Sequence, residues 1–498
     1  MYRNLNKYPL IVIFSLFIVL SGVIHAQQYS FEIIMDSDYD EAPTLFKLND
    51  DGCFVGLVRK APPTDSIYVY DTYLYKISLQ GDTLSIKYAK EDTVSVFFYI
   101  DKLTTEPKGY LLTGWGHKKG EDPHHPFTIM RRITDDLDLV WEKTFKFNNY
   151  YFGSYKSSAM ELINGDILYA CSPHLNINMF ILKLSAEGDS LNFVTYSGSD
   201  AGEVWGLTYS PDSTAIWLHN WLAHYQGQGS YVSSCIVLNQ KLEQIGVKHY
   251  PEFLFPPFNA LLYNDSILLT GGSDRVPNPK TGDVEHLINA YLLDTAFNVI
   301  HEVHLTHPDT NSRAAEVQGI DFYYPGCIYL GGNHNLQGMT GHEPSWFYIA
   351  KLNDTLGLEY EKYIGGDDYY WLYSVTAASD GGVLLAGTRN DYTATYFQRD
   401  GYILKIDSLG FVQTPENIHF TISEAVVYPN PGNEIINIRT ALKSCIFNLF
   451  DTFGRQILKK PMPDRITTVK TNTLSKGTYY YSVTDNNKTI ISGTWIKN

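Results

Sequence analysis

A two-part hydrophobic pattern recurs along most of this chain, and repetition constrains a fold more tightly than any single motif. Its clearest copy is Asp380-Gly381-Gly382-Val383-Leu384-Leu385-Ala386-Gly387-Thr388, followed after a polar gap by Gly401-Tyr402-Ile403-Leu404-Lys405-Ile406. Aligned on the position of Gly382, the copies fall at 52, 109, 166, 214, 266, 326 and 382, with steps of 57, 57, 48, 52, 60 and 56 residues. The runs are short, lack helical period and are split by Gly, Asp and Asn, so they read as strands. Each repeat holds about four of them. In the sixth these are Val317–Phe322, Cys327–Leu330, Phe347–Leu352 and Leu358–Tyr363. Repeats of this length built only from strands point to an all-β, seven-bladed β-propeller over residues 27–416. An open all-β solenoid is the alternative. The seventh repeat lacks a fourth strand after Phe411, whereas Tyr29–Met35 stands unassigned before the first. That segment is expected to pair with residues 400–412, closing the ring and removing an exposed sheet edge.

The last 74 residues depart from this pattern. Residues 425–498 carry ten Lys/Arg against four Asp/Glu, in a chain of net charge −16. Removing the six net positive charges of the tail and the two of the leader (Arg3, Lys7) leaves residues 27–424 at −24. Such a body repels nucleic acid and anionic membranes, which disfavours both as partners. The charge break marks a boundary, with residues 417–424 as linker.

Four separated motifs appear in the tail. They are Tyr428-Pro429-Asn430-Pro431, then Asp451-Thr452-Phe453-Gly454-Arg455, then Lys476-Gly477-Thr478-Tyr479, and a terminal Ile496-Lys497-Asn498. Alternating runs between Gly, Asn and Pro turns read as a small Ig-like β-sandwich. The tail resembles the C-terminal sorting domain of Bacteroidota proteins exported by the type IX secretion system. The resemblance implies passage through an outer-membrane translocon, removal of the tail by a sortase, and release or attachment at the outer cell surface. An ordinary Ig-like binding module is the other reading. At the opposite end, Arg3 and Lys7 precede an apolar run from Leu10 to Val23 that closes on Ile24-His25-Ala26. This is the layout of a signal peptide cut after Ala26, with entry to the periplasm and no membrane span expected in the mature chain.

Function is less legible. The second-to-third strand loops (residues 115–126, 219–230, 273–286, 332–345 and 389–400) and the connections between repeats would share one end of the ring. The connections bring Tyr150, Tyr151, Trp205, Asp367, Asp368, Tyr370 and Trp371. Aromatic faces beside carboxylates on a rigid frame suit a glycan, a peptide or another surface protein, so these seven are the candidate ligand residues. The competing reading has such aromatics plugging the gaps between blades. No nucleophile elbow, HExxH helix, phosphate loop or paired-Cys motif occurs. A secreted polysaccharide-active enzyme remains the rival, with Asp367 and Asp368 meeting Glu203 and Glu316 as acid and base.

Other chemistry-bearing residues have plainer readings. Asp36, Asp38 and Asp40 alternate like the start of a calcium loop but lack the sixth-position Gly and the later Glu, so an acidic turn is the default. His301, His304 and His307 recur every third residue and alternate faces on a strand, and His124 and His125 lie in a loop. Five cysteines spread over different repeats read as buried free thiols rather than a disulfide framework. Asp-Ser/Thr-aliphatic triplets, such as Asp294-Thr295-Ala296 and Asp407-Ser408-Leu409, resemble a Bacteroidota O-glycosylation acceptor. Ordinary turn chemistry also explains them.

Overall fold

The computed structural model describes residues 29–37, 39–61, 71–89, 93–118, 127–146, 157–172, 179–197, 202–223, 231–251, 255–277, 284–305, 312–336, 341–393, 398–412, 425–428, 433, 435–440, 445–462, 466–485 and 488–497. The expected leader and linker lie outside them. Among these residues all regular structure is β, and no helix is long and apolar enough to cross a membrane.

Seven antiparallel sheets follow one another along the body. The first is Asp40–Leu48, Phe54–Ala61, Asp71–Ile77 and Thr83–Tyr88 in simple meander order. Sheets two to five repeat this over residues 93–145, 157–196, 203–249 and 255–305. In the sixth the first strand is split, Arg313–Ala314 and Ile320–Phe322 both pairing with Ile328–His334. The sequence reading began that strand at Val317. Instead the Val317 and Gln318 amides donate to Tyr373 O across the sheet boundary, and Gln318 makes a parallel bridge with Ser374.

The seventh sheet contains Tyr369–Ala377, Val383–Asn390 and Asp400–Ile406, with Phe31–Met35 as its outermost strand. The register runs from Phe31 opposite Lys405 to Met35 opposite Gly401, as the closing-strand expectation required. First strands touch in succession from sheet one to sheet seven, and Tyr369–Ala377 lies against Asp40–Leu48. The succession therefore returns to its start, an arrangement consistent with a β-propeller.

Burial follows position within each sheet. All nine residues of Tyr369–Ala377 are buried, because neighbouring sheets cover both faces. Outer strands such as Thr83–Tyr88 and Leu139–Phe145 alternate with solvent. The third-to-fourth turns share one construction. An Asp, Asn, Ser or Thr caps the turn, as where Asn353 Oδ1 accepts the Thr355 and Gly357 amides at 3.0 and 2.7 Å. A residue with positive φ then turns inward. At four turns it is large and apolar (Leu137, Leu242, Phe297, Leu356), and each is at most 6% exposed. A left-handed non-glycine residue costs about 1–2 kcal/mol, and burying a Leu or Phe contributes a similar amount, so the wedge sustains the conformation.

In the tail, Ala425–Tyr428, Ile435–Thr440 and Ile466–Lys470 form one sheet. Gln456–Met462, Cys445–Phe450, Gly477–Asp485 and Lys488–Lys497 form another. Both contribute to one core around Ile436, Ile438, Phe447, Leu449, Val483 and Trp495.

Candidate functional site

Antiparallel meanders place first-to-second and third-to-fourth turns at one end of the ring. The second-to-third loops and inter-sheet connections lie at the other. The sequence reading favoured this loop end. Tyr150 and Tyr151 lie outside the described residues, as do 119–126, 224–230, 278–283, 337–340 and 394–397 of its loops.

The other five candidates are described, and the aromatics turn inward. Trp205 is half-buried, its ring 5.2 Å from His219 and 5.4 Å from Tyr250. His219 is itself fully buried between Thr208 and the Tyr250 hydroxyl, and burial holds its pKa down at about 3. Tyr370 is buried against Phe347 and Tyr402, with its hydroxyl donating to Asp367 Oδ1 at 3.1 Å. Trp371 stacks on Tyr373 in a separate buried cluster with Ala42 and Leu336. The structure thus joins Asp367 to Tyr370 but sets Trp205 and Trp371 in different cores.

The carboxylates divide as well. Asp368 belongs to a charged group with Arg389, Asp400, Asp36 and Glu41. Burial is the main cause raising Asp400 to about 6, aided by Asp36 and opposed by Arg389, whose Nε is 3.7 Å away. Glu41, 1% exposed, pairs with Lys60 at 3.1 Å, and Asp40 pairs with Arg399 at 3.3 Å. Glu316 instead acts on Tyr99, beside Asp101. Glu203 is exposed at the start of its strand. Asp38 and His307 lie outside the described residues, and among those described no three metal-type ligands converge. His301 and His304 both sit on the exposed strand Val299–Leu305, the latter edge-on to Tyr291. None of the five cysteines is in a disulfide, and four of them are buried. The Asp294 triplet caps a third-to-fourth turn and the Asp407 triplet caps the turn after the third strand of sheet seven, with Thr295 and Leu409 exposed.

At the short-turn end a cavity of about 520 Å³ opens among the first strands of sheets one, two, five, six and seven. Lys47 Nζ donates to Gln318 Oε1 at 2.8 Å, and Gln318 Nε2 donates to Val375 O at 2.8 Å. Asp321 Oδ1 accepts the Phe322 amide and Oδ2 the Ala377 amide, both at 2.9 Å. Burial is the main cause raising Asp321 to about 6, with Lys47 opposing it. The same lysine opposes the burial that raises Asp101. At the rim, Asp50 receives Lys102 at 2.6 Å and Lys108 at 3.0 Å, which hold it at about 2. Leu261, Phe322 and Tyr323 form an apolar wall.

The sequence reading missed this cavity, yet a signal exists. Lys47 and Asp321 each stand five residues before a turn glycine, Gly52 and Gly326. Aligning the repeats on that glycine would have shown a polar residue where an innermost strand faces its neighbours.

In the tail, Asp451 Oδ1 caps the turn by accepting the Phe453 and Arg455 amides, both at 2.9 Å, with Gly454 at φ 74°. Gly477 opens the strand on which Tyr479 packs against Trp495. Lys497 Nζ donates to Asn433 O, tying the last strand to the first sheet's turn. Tyr428 ends a strand, and Pro429, Asn430 and Pro431 lie outside the described residues.

Residues 426–497 match the secretion system C-terminal sorting domain family. No curated protein matches the chain. Among solved structures, one similar chain is PorZ, a surface component of the type IX secretion system of Porphyromonas gingivalis. It shares 9% identity over 92% of this chain and 81% of that one, with a TM-score of 0.27. Drosophila Plexin A in complex with Semaphorin 1b shares 7% over 76% and 88%, with a TM-score of 0.42. A Lactobacillus plantarum protein shares 11% over 64% and 84%, with a TM-score of 0.36. At these TM-scores the likenesses say nothing of what this chain binds. The sorting tail indicates export to the cell surface or beyond it, through the type IX machinery.

Proposed function

We propose that the chain is a seven-bladed propeller which acts, after export, as a non-catalytic binding protein at or beyond the cell surface. On this reading residues 27–416 form the working ring, residues 425–498 are a detachable Ig-like address, and a leader ends at Ala26. The cyclic contact of seven first strands supports the blade count, and the two-sheet core supports the tail's fold. The cavity at the short-turn end carries the binding assignment. It has the size of small-molecule sites, and its polar groups are held in place by backbone contacts.

The test is to present the purified mature protein with oligosaccharides and peptides while following both binding and cleavage. Saturable binding without turnover is expected. Hydrolysis of a bound saccharide would replace this reading with the enzymatic one.

A further inference from the structure

The wall of the cavity discriminates among ligands by how its charges are already used. Lys102 is committed to Asp50, and Lys108 joins them from outside the wall. Lys47 is held by Gln318 and balances Asp321 and Asp101. An ionic ligand would have to compete with the partners these charges already have. A hydroxyl group does not, because it donates and accepts at once. Each oxygen of Asp321 receives only one backbone amide and keeps further lone-pair capacity.

Asn49 lines the cavity and is 3% exposed. Its Oδ1 accepts the Cys53 amide at 2.7 Å, while its Nδ2 has no hydrogen-bond partner among the described residues. That nitrogen has almost no accessible surface, so Asn49 shapes the wall and leaves ligand contacts to Asp321 and Lys47. At the rim, Tyr323 is 48% exposed beside the apolar wall and offers a flat aromatic face.

Resting on the binding function proposed above, we infer that this cavity takes the end of a neutral saccharide. Ring hydroxyls would meet Asp321 and Lys47, and one sugar face would lie on Tyr323. Asp51 at the rim adds a further negative charge and disfavours uronic acids.

The experiment titrates the full mature chain, by calorimetry and saturation-transfer NMR, with gluco-, galacto- and manno-configured tetrasaccharides. A tetra-uronic acid, triglycine and a lysine tripeptide serve as comparison probes. At least one neutral tetrasaccharide should bind, and Tyr323→Ala should weaken it about tenfold, or roughly 1.4 kcal/mol. Tyr323→Phe should retain most of the affinity. Lys47→Met, which keeps the aliphatic stem but removes the ammonium donor, should weaken binding at least fivefold. Tyr323 is exposed, so its variants report even if a buried change unfolds the chain. Triglycine or lysine tripeptide binding with the same Tyr323 sensitivity, without saccharide binding, overturns the saccharide inference and leaves the binding function standing. Binding of no probe overturns both.

Discussion

The two ends of the ring use carboxylates differently, and the closing strand Phe31–Met35 runs between them. At the short-turn end Lys405, with no solvent exposure, donates at 2.7 Å to both Asp380 Oδ2 and Tyr29 O. Asp380 also accepts the Tyr29 amide at 3.3 Å. At the loop end the strand leads into Asp36, Asp40 and Glu41, which face Asp400 and Asp368 across Arg389, Arg399 and Lys60. The short-turn end therefore ties down the start of the closing strand through an ion pair, whereas the loop-end pairs join the strand Asp40–Leu48 to its neighbours. The short-turn end also widens into a cavity, where fixed polar groups keep unused capacity. Clasp and site differ less in residue type than in whether neighbouring sheets close over the charges.

The largest effect should come from breaking the clasp. Lys405→Met leaves Asp380 buried without its cation, and stability should fall by about 3–5 kcal/mol in urea denaturation. Adding Asp380→Asn should recover much of that loss, since the pair rather than either charge is what the interior tolerates. An unchanged midpoint would mean that the closing strand does not depend on the clasp.

Trp371 tests the loop end. Its ring is 8% exposed and stacked on Tyr373, so Trp371→Ala should cost about 3 kcal/mol through the cavity it leaves. Ligand affinity of the folded variant should be unchanged. A selective loss of binding instead would restore the loop face as the site.

A smaller effect is expected in pH dependence, where the two ends should behave alike. Asp321 and Asp400 both titrate near 6 in the folded chain, against a reference of 3.8. The folded state therefore holds protons that the unfolded state has lost, and stability should fall as pH rises from about 4 to 6, then level off. Partial solvation reduces each contribution to on the order of 1 kcal/mol. Asp321→Asn and Asp400→Asn should each flatten part of that slope. A slope unchanged in either variant would show that its carboxyl titrates normally.

The smallest stability change belongs to Tyr323→Ala, within about 0.5 kcal/mol because the ring is exposed. Its effect on ligand should be the sharpest, separating the cavity from the scaffold that carries it.

Much of the scaffold was legible because repetition and strand period are local properties. The Val383–Asn390 strand and the tail's motifs follow from neighbours in sequence, and the closing role of Tyr29–Met35 from counting strands across the repeats. The aromatic candidates were harder to place. Trp205, Tyr370 and Trp371 stand in polar, turn-rich surroundings, yet each faces a gap between sheets that only packing creates. Sequence shows that a residue is aromatic, not whether a neighbouring sheet needs it as filler.

By itself, then, the sequence determined an all-β repeat body, a closing strand and an exported, basic sorting tail, since periodicity, charge and motif are written residue by residue. Tertiary structure alone brought Lys47, Asn49, Gln318 and Asp321 to one cavity across some 270 residues of chain. It also decided which ion pairs are clasps and which border a site. Those outcomes depend on which strands become neighbours when the ring closes, and closure is a property of the whole chain.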